Sequence, residues 1–151
     1  MDASWIRDLC LSFPSVTEHV IWGNDLTFKV GGKMFAHAVL EPAPVWLSFK
    51  TSPDNFFELT ERPNIIPAPY LARAQWVALE TRDALSPREL SALLKESYDM
   101  IVAKLPKKTR DALGARKNRR AKASRRNSHR FSGLLFSPAF CILGWRFFLF
   151  E

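Results

Sequence analysis

The stretch LTFKVGGKMFAHAVLEPAPVWLSFK, residues 26–50, carries the pattern to which every other segment of the chain must fit. Leu26 to Val30 and Lys33 to Leu40 are strand-type runs joined by Gly31-Gly32, a pair that supplies the positive φ angles a two-residue hairpin turn demands. A Pro-containing turn at Glu41 to Pro44 leads into a third run, Val45 to Lys50. The stretch therefore predicts a three-stranded antiparallel meander. In its last strand a period of two puts Val45, Leu47 and Phe49 on one side and Trp46, Ser48 and Lys50 on the other, an apolar face backed by a mixed one.

On either side of the meander the periodicity becomes helical. N-terminal to it, Ile6, Leu9, Cys10 and Phe13 form one stripe that Pro14 ends, and the Glu18-His19 pair that follows is expected in a turn. C-terminal to it, Ser52-Pro53-Asp54 offers an N-cap with proline at the first helical position, and Phe56, Phe57 and Leu59 give the short helix an apolar face. Asn64 to Tyr70, with Pro67 and Pro69, is expected as an irregular connector. Gln75 to Glu80 returns to strand character, with Trp76 and Ala78 opposite Val77 and Leu79. Ser86-Pro87-Arg88-Glu89 is a capping-box start, followed by the stripe Leu90, Leu93, Leu94, Ser97, Ile101, Val102 and Leu105 and closed by Pro106. Lys107 to Leu113 adds a short helical turn. The fold class predicted is α+β, an antiparallel sheet packed against helices.

The chain has 151 residues and a net charge of +7, unevenly placed. Met1 to Leu113 hold 13 Lys/Arg against 14 Asp/Glu, a balance of −1, whereas Gly114 to Glu151 hold nine against one, a balance of +8. The domain is accordingly placed at 1–113, with 114–151 as a tail that is basic first and aromatic-rich afterwards. The tail's cationic half suits phosphate neutralisation by a flexible arm, and its aromatic half falls short of a membrane span. Four readings stay open for it: an accidental extension, a nucleic-acid arm, a membrane-surface segment or a partner-binding segment. The acidic residues Asp2 and Asp8 at the N-terminus argue against a signal peptide, and the two distant cysteines, Cys10 and Cys141, fit a reducing cytoplasm.

Catalytic motifs are missing from the sequence. His19, His37 and His129 are isolated, no metal or cofactor motif is present, and Gly31-Gly32-Lys33 reads as a hairpin turn rather than a phosphate cradle. Cys10, on a core stripe, reads as a small packing residue. The expectation is a non-enzymatic binding protein without a cofactor. Lys29, Lys33 and Lys50 project from adjacent strands near Trp22 and Trp46, a mixture of cations and aromatic faces suited to phosphates and bases. The same lysines would also simply keep a sheet face soluble. Lys104, Lys107, Lys108 and Arg110 form a second basic group at a helix C-terminus, where the helix dipole favours cations in any case.

Several segments in order resemble the MmcQ/YjbR family of small bacterial proteins. They are Phe13-Pro14-Ser15-Val16 with Glu18, Trp22-Gly23, Phe28-Lys29-Val30, Gly32-Lys33-Met34-Phe35-Ala36, Leu47-Ser48-Phe49-Lys50, Ile66-Pro67-Ala68-Pro69-Tyr70-Leu71, Gln75-Trp76-Val77, Glu96-Ser97-Tyr98 and Leu105-Pro106-Lys107-Lys108. The resemblance covers Trp5 to Leu113. It implies a secretion-chaperone-like fold in the order α-β-β-β-α-β-β-α, and it implies DNA binding. On that reading Lys29, Lys33, Lys50 and Arg73 meet phosphates while Trp22 or Trp46 lines the surface. Of the matching aromatics Trp22, Tyr70, Trp76 and Tyr98, at least two are expected in the core. The alternative is a protein-interaction or chaperone-like module that holds a protein partner on its sheet face.

Overall fold

The computed structural model describes residues 2–21, 25–40 and 43–113. The chain divides into Met1–Asn118 and Arg119–Glu151, and the described residues all belong to the first part. The expectations for the tail lie outside the described residues.

Three short polar side chains start the three main helices. The Asp2 carboxylate accepts from the Trp5 N–H at 2.9 Å, the Ser52 hydroxyl from the Asn55 N–H at 3.4 Å, and the Ser86 hydroxyl from the Glu89 N–H at 3.2 Å. Each satisfies a donor that the first helical turn leaves without an intrahelical partner. The helices are α1 (Ala3–Ser12), α2 (Pro53–Thr60) and α3 (Pro87–Ala103), with Pro53 and Pro87 inside the start of the latter two. Residues 107–113 are helical as well. The Glu89 carboxylate, expected to close a capping box, is engaged instead by Arg62 at 2.5 Å, which ties the end of α2 to the start of α3.

The strands are β1 (Val16–Ile21), β2 (Asp25–Val30), β3 (Lys33–Val39), β4 (Leu47–Lys50), β5 (Ile65–Pro67) and β6 (Trp76–Leu79). They form one antiparallel sheet in the order β1-β2-β3-β4-β6-β5. The α+β class, the meander and the joining of residues 76–79 to it are as the sequence predicts. Two expectations are corrected. Glu18 and His19 lie on β1 rather than in a turn, because a strand at the sheet edge needs only one apolar face and its pattern is correspondingly faint. Within the expected connector 64–70, Ile65 to Pro67 pair with β6; Pro67 is tolerated because β5 is the other edge.

Helices α1, α2 and α3 pack on one face of the sheet. That core contains Leu26, Phe28, Val30, Ala36, Leu47, Phe49, Val77 and Leu79 from the strands and Ile6, Cys10, Leu59, Leu90, Leu94, Tyr98 and Ile101 from the helices. Phe57, expected on the inner face of α2, is 69% exposed; Leu59 and Phe56 carry that packing instead. Burial pushes the Cys10 thiol up to about 12, as befits a packing residue rather than a nucleophile. The opposite sheet face holds a smaller cluster of Ala68, Trp76 and Ala78 with Met34, Val45, Ile66 and Leu71 packed against it.

A β-bulge shapes the centre of this sheet. Phe28 pairs with Ala36 and Lys29 with Met34, so Phe35 has no partner across the β2–β3 ladder. A bulge turns the extra residue to the same side as its neighbour. Phe35 accordingly sits fully buried under α3, against Phe13, Phe28 and Tyr98 at ring separations of 6.3, 6.4 and 5.8 Å. Its carbonyl accepts a 2.7 Å hydrogen bond from Ser97, a buried hydroxyl in the middle of α3, and the Tyr98 hydroxyl next to it donates to Pro14 O at 2.9 Å. Replacing Ser97 by Ala leaves a buried carbonyl without its donor and is expected to lower stability by about 1–3 kcal/mol. The check is a shifted midpoint with unchanged slope in chemical denaturation. Gly31→Ala is expected to cost more than Gly32→Ala: both sit at positive φ, but a Cβ at Gly31 would lie 2.6 Å from a Leu105 methyl, while at Gly32 it meets nothing.

Candidate nucleic-acid interface

Antiparallel register brings the candidate cations to one end of the domain. That end is made by the Gly31-Gly32 hairpin turn, the end of β4, the start of β6 and the C-terminal end of α3, whose successor Leu105 lies over Gly31. Lys29, Lys33, Lys50 and Arg73 lie there, Lys104 joins them at the end of α3, and Lys107, Lys108 and Arg110 follow it within six residues of chain. The two basic groups that sequence reading kept apart are thus neighbours in space. None of the eight takes part in an ion pair among the described residues.

The cations at this end do not share one surface. Lys29 pairs with Met34 and Lys50 with Trp76, on the face that carries the small cluster. Lys33 pairs with Val30, so register turns it to the helix side, exposed at the tip of the hairpin. Lys29 and Lys50 therefore flank Met34 on one face while Lys33 lies around the turn from them.

Lys50 is the unusual member. It is only 8% exposed, and its ammonium donates to the carbonyl of Ala74. Burial, reinforced by the nearby Lys104 charge, holds its pKa below the ordinary lysine range. Thr51, next in the chain, bonds the same loop: its N–H donates to Gln75 O at 2.8 Å and its hydroxyl to that carbonyl at 3.2 Å. The loop 68–75 is thereby fastened to the end of β4, and it carries Arg73, which is exposed.

Trp46 is a correction. It lies in the helix-side core, 7% exposed, at the end of the sheet away from Lys50; its indole N–H donates to Thr81 O at 2.7 Å and Arg82 stands 5.8 Å from its ring. Val45, expected beside Leu47 and Phe49, packs instead with the opposite cluster. The alternation read back from Leu47 fails because regular pairing starts only at that residue, whereas Trp46 bridges two strands from a bend, through Val39 N–H to Trp46 O at 2.8 Å and Trp46 N–H to Leu79 O at 3.0 Å. Trp22 lies outside the described residues. Trp76 and Tyr98 are core, as expected of at least two of the four family aromatics, while Tyr70 is fully exposed.

Other polar groups are arranged as structural pairs. Glu18 is held in the charged form by a 2.6 Å bond from Arg7, which lowers its pKa, and the pair borders a shallow cleft of about 530 Å³ with Ala3, Val20, Leu26 and Leu40. His37 faces Asp25 at 3.3 Å, and His19 lies 3.3 Å from Thr17 on β1. Among the described residues no set of three or more His, Cys, Asp or Glu is grouped to hold a metal ion, and no helix is long and apolar enough to cross a membrane.

An antiparallel sheet closed on one side by α1, α2 and α3 defines the class, and comparison with known proteins gives the family. Residues 11–100 match the YjbR family, and the chain belongs to it. The crystal structure of the Deinococcus radiodurans protein DR2400, which carries a DUF419 domain, is similar at 28% identity with a TM-score of 0.68, over 75% of this chain and 88% of that one. A structure from Pseudomonas syringae shares the fold at 17% identity and a TM-score of 0.57, over 66% of this chain and 98% of that one. No curated protein matches the chain.

The lowered Lys50 pKa has a measurable consequence. Between the folded value and the ordinary lysine value of about 10.4 the unfolded chain binds more protons at this site than the folded chain does, so its contribution to stability rises with pH across that window. Lys50→Met is expected to remove that rise, read as a flatter dependence of the unfolding midpoint on pH above neutrality.

Proposed function

We propose that this protein is a non-enzymatic, cytoplasmic DNA-binding module that engages the phosphate backbone with the basic end of its domain. The observation that carries the reading is the collection at one end of seven cations besides the buried Lys50, with no carboxylate paired to any of them among the described residues. The domain as a whole is close to neutral; Asp54 and Asp111 lie among the cations at this end, and most of the remaining acids lie elsewhere. Asp2, Asp25, Glu61, Glu80 and Asp83 lie at the opposite ends of their elements, where Arg62 is paired with Glu58 and Glu89 and Arg82 stands against Trp46. A bipolar surface orients a polyanion toward one end and repels it from the other. Phosphate contacts of this kind position a protein on DNA without reading its sequence.

The test is binding of a labelled duplex at several salt concentrations, by the full chain and by a chain ending at Asn118 that shows a cooperative melt. In the shortened chain, reversing Lys29, Arg73, Lys104 and Lys107 to Glu is expected to weaken binding at least tenfold. The slope of log K against log salt should become shallower by roughly 0.9 for each phosphate no longer neutralised. Arg88→Glu, at the start of α3 and the far end of the domain, should change neither. Binding that vanishes with the tail and ignores the four reversals overturns the reading.

A further inference from the structure

Tyr70 stands out in the loop that holds Lys50. Its side chain is fully exposed, and its backbone has φ of +63°, the left-handed region that glycine and asparagine occupy far more readily. The turn Ala68–Leu71 is closed by Leu71 N–H donating to Ala68 O at 3.1 Å, with Pro69 and Tyr70 at its centre. Proline followed by a residue at positive φ is the pattern of a type II turn, whose third position ordinarily takes glycine. A tyrosine here incurs the strain of that conformation, and no burial of its ring offsets it.

The surrounding loop is tightly held. Ala68 N–H donates to Trp76 O at 2.9 Å, Ala74 N–H to Leu71 O at 3.0 Å and Gln75 N–H to Ala72 O at 3.0 Å, while Ala68 and Leu71 pack with Trp76. The ring is thus presented outward from a fixed backbone, and little conformational freedom remains to be lost on binding. Arg73 follows three residues later, Lys50 is bonded to Ala74, and Lys104 lies close enough to depress the Lys50 pKa. An exposed aromatic face on the same loop as the exposed Arg73 suits a single strand, with a phosphate on the charge and a base on the ring. Paired bases in a duplex are stacked on their own neighbours and offer no free face.

We infer that Tyr70 is a stacking platform for an unpaired base, so that the basic end takes single-stranded nucleic acid, or an unpaired segment of a duplex, in preference to a fully paired one. This rests on the polyanion reading above. The experiment uses the full chain and its Tyr70→Phe, Tyr70→Gly and Tyr70→Asn variants, titrated into a labelled 12-nucleotide oligothymidine and into a labelled 12-base-pair duplex at low salt.

The wild type and Tyr70→Phe should bind the single strand alike. Tyr70→Gly and Tyr70→Asn should bind it about five- to a hundredfold more weakly, with duplex affinity and salt slope unchanged. Both of these variants should melt no lower than the wild type, because they relieve the left-handed strain, so weaker binding does not reflect unfolding. Equal single-strand binding by Tyr70→Gly and the wild type overturns the stacking role and leaves the polyanion reading standing. So does an equal weakening on single strand and duplex. Salt-independent or absent binding to both probes by the wild type overturns the polyanion reading and the stacking role together.

Discussion

The hydrogen bond from Ser97 to the carbonyl of Phe35 joins the middle of the longest helix to the middle of the sheet. It exists because β3 carries one residue more than β2 at that level, which turns Phe35 toward α3 and leaves its carbonyl outside the ladder. A buried carbonyl without a donor is costly, and a serine inside an apolar helical stripe supplies one. The contact fixes both the height and the rotation of α3 on the sheet. With α3 so placed, Leu105 closes over Gly31 and Lys104 comes near Lys50. The approach of Lys104 to the lysines of the sheet therefore depends on how one bulge is satisfied.

Charge in this domain is organised by topology rather than by composition. Summed over 1–113 the balance is −1, which gives no hint of a polyanion partner. Antiparallel strands and the helices between them sort residues by which end of an element they occupy. Lysines at the Gly31-Gly32 turn, at the end of β4 and beyond α3 fall together, and acids at the start of β2 and after β6 fall opposite. The tail raises the net charge of the chain to +7, yet the separation inside the domain does not depend on it. Membership of the YjbR family accounts for the fold, while the proposal of a polyanion partner rests on these particular side chains, as it must where one fold can serve many functions.

Much of the fold was legible because its signals are local. The glycine pair, the serine caps followed by proline, and the stripe along 90–105 each lie within a few residues of the element they specify. What was misread depended on partners far away in sequence. β1 reads as a turn because Val16 and Val20 give an edge strand little to show, and β5 reads as a connector because its prolines are harmless only at an edge. Trp46 reads as a partner of Lys50 because alternation was carried across a bend where pairing had not begun. The candidate site was legible in part: Lys29, Lys33, Lys50 and Arg73 share an end, but Lys50 is buried and bonded to Ala74 rather than free for a phosphate, Lys33 is turned from the others, and nothing local marked Tyr70 as exposed.

Local sequence was sufficient for the elements, their caps and the α+β class, because hydrogen-bond capping, proline geometry and apolar periodicity act over one to four residues. Folding in three dimensions was needed for a buried serine to answer a bulged carbonyl, for Trp46 to turn inward while Tyr70 stayed out, and for two distant basic groups to meet. Each of those outcomes is set by register between strands and by the seating of α3, and register is a relation between segments that no single segment encodes.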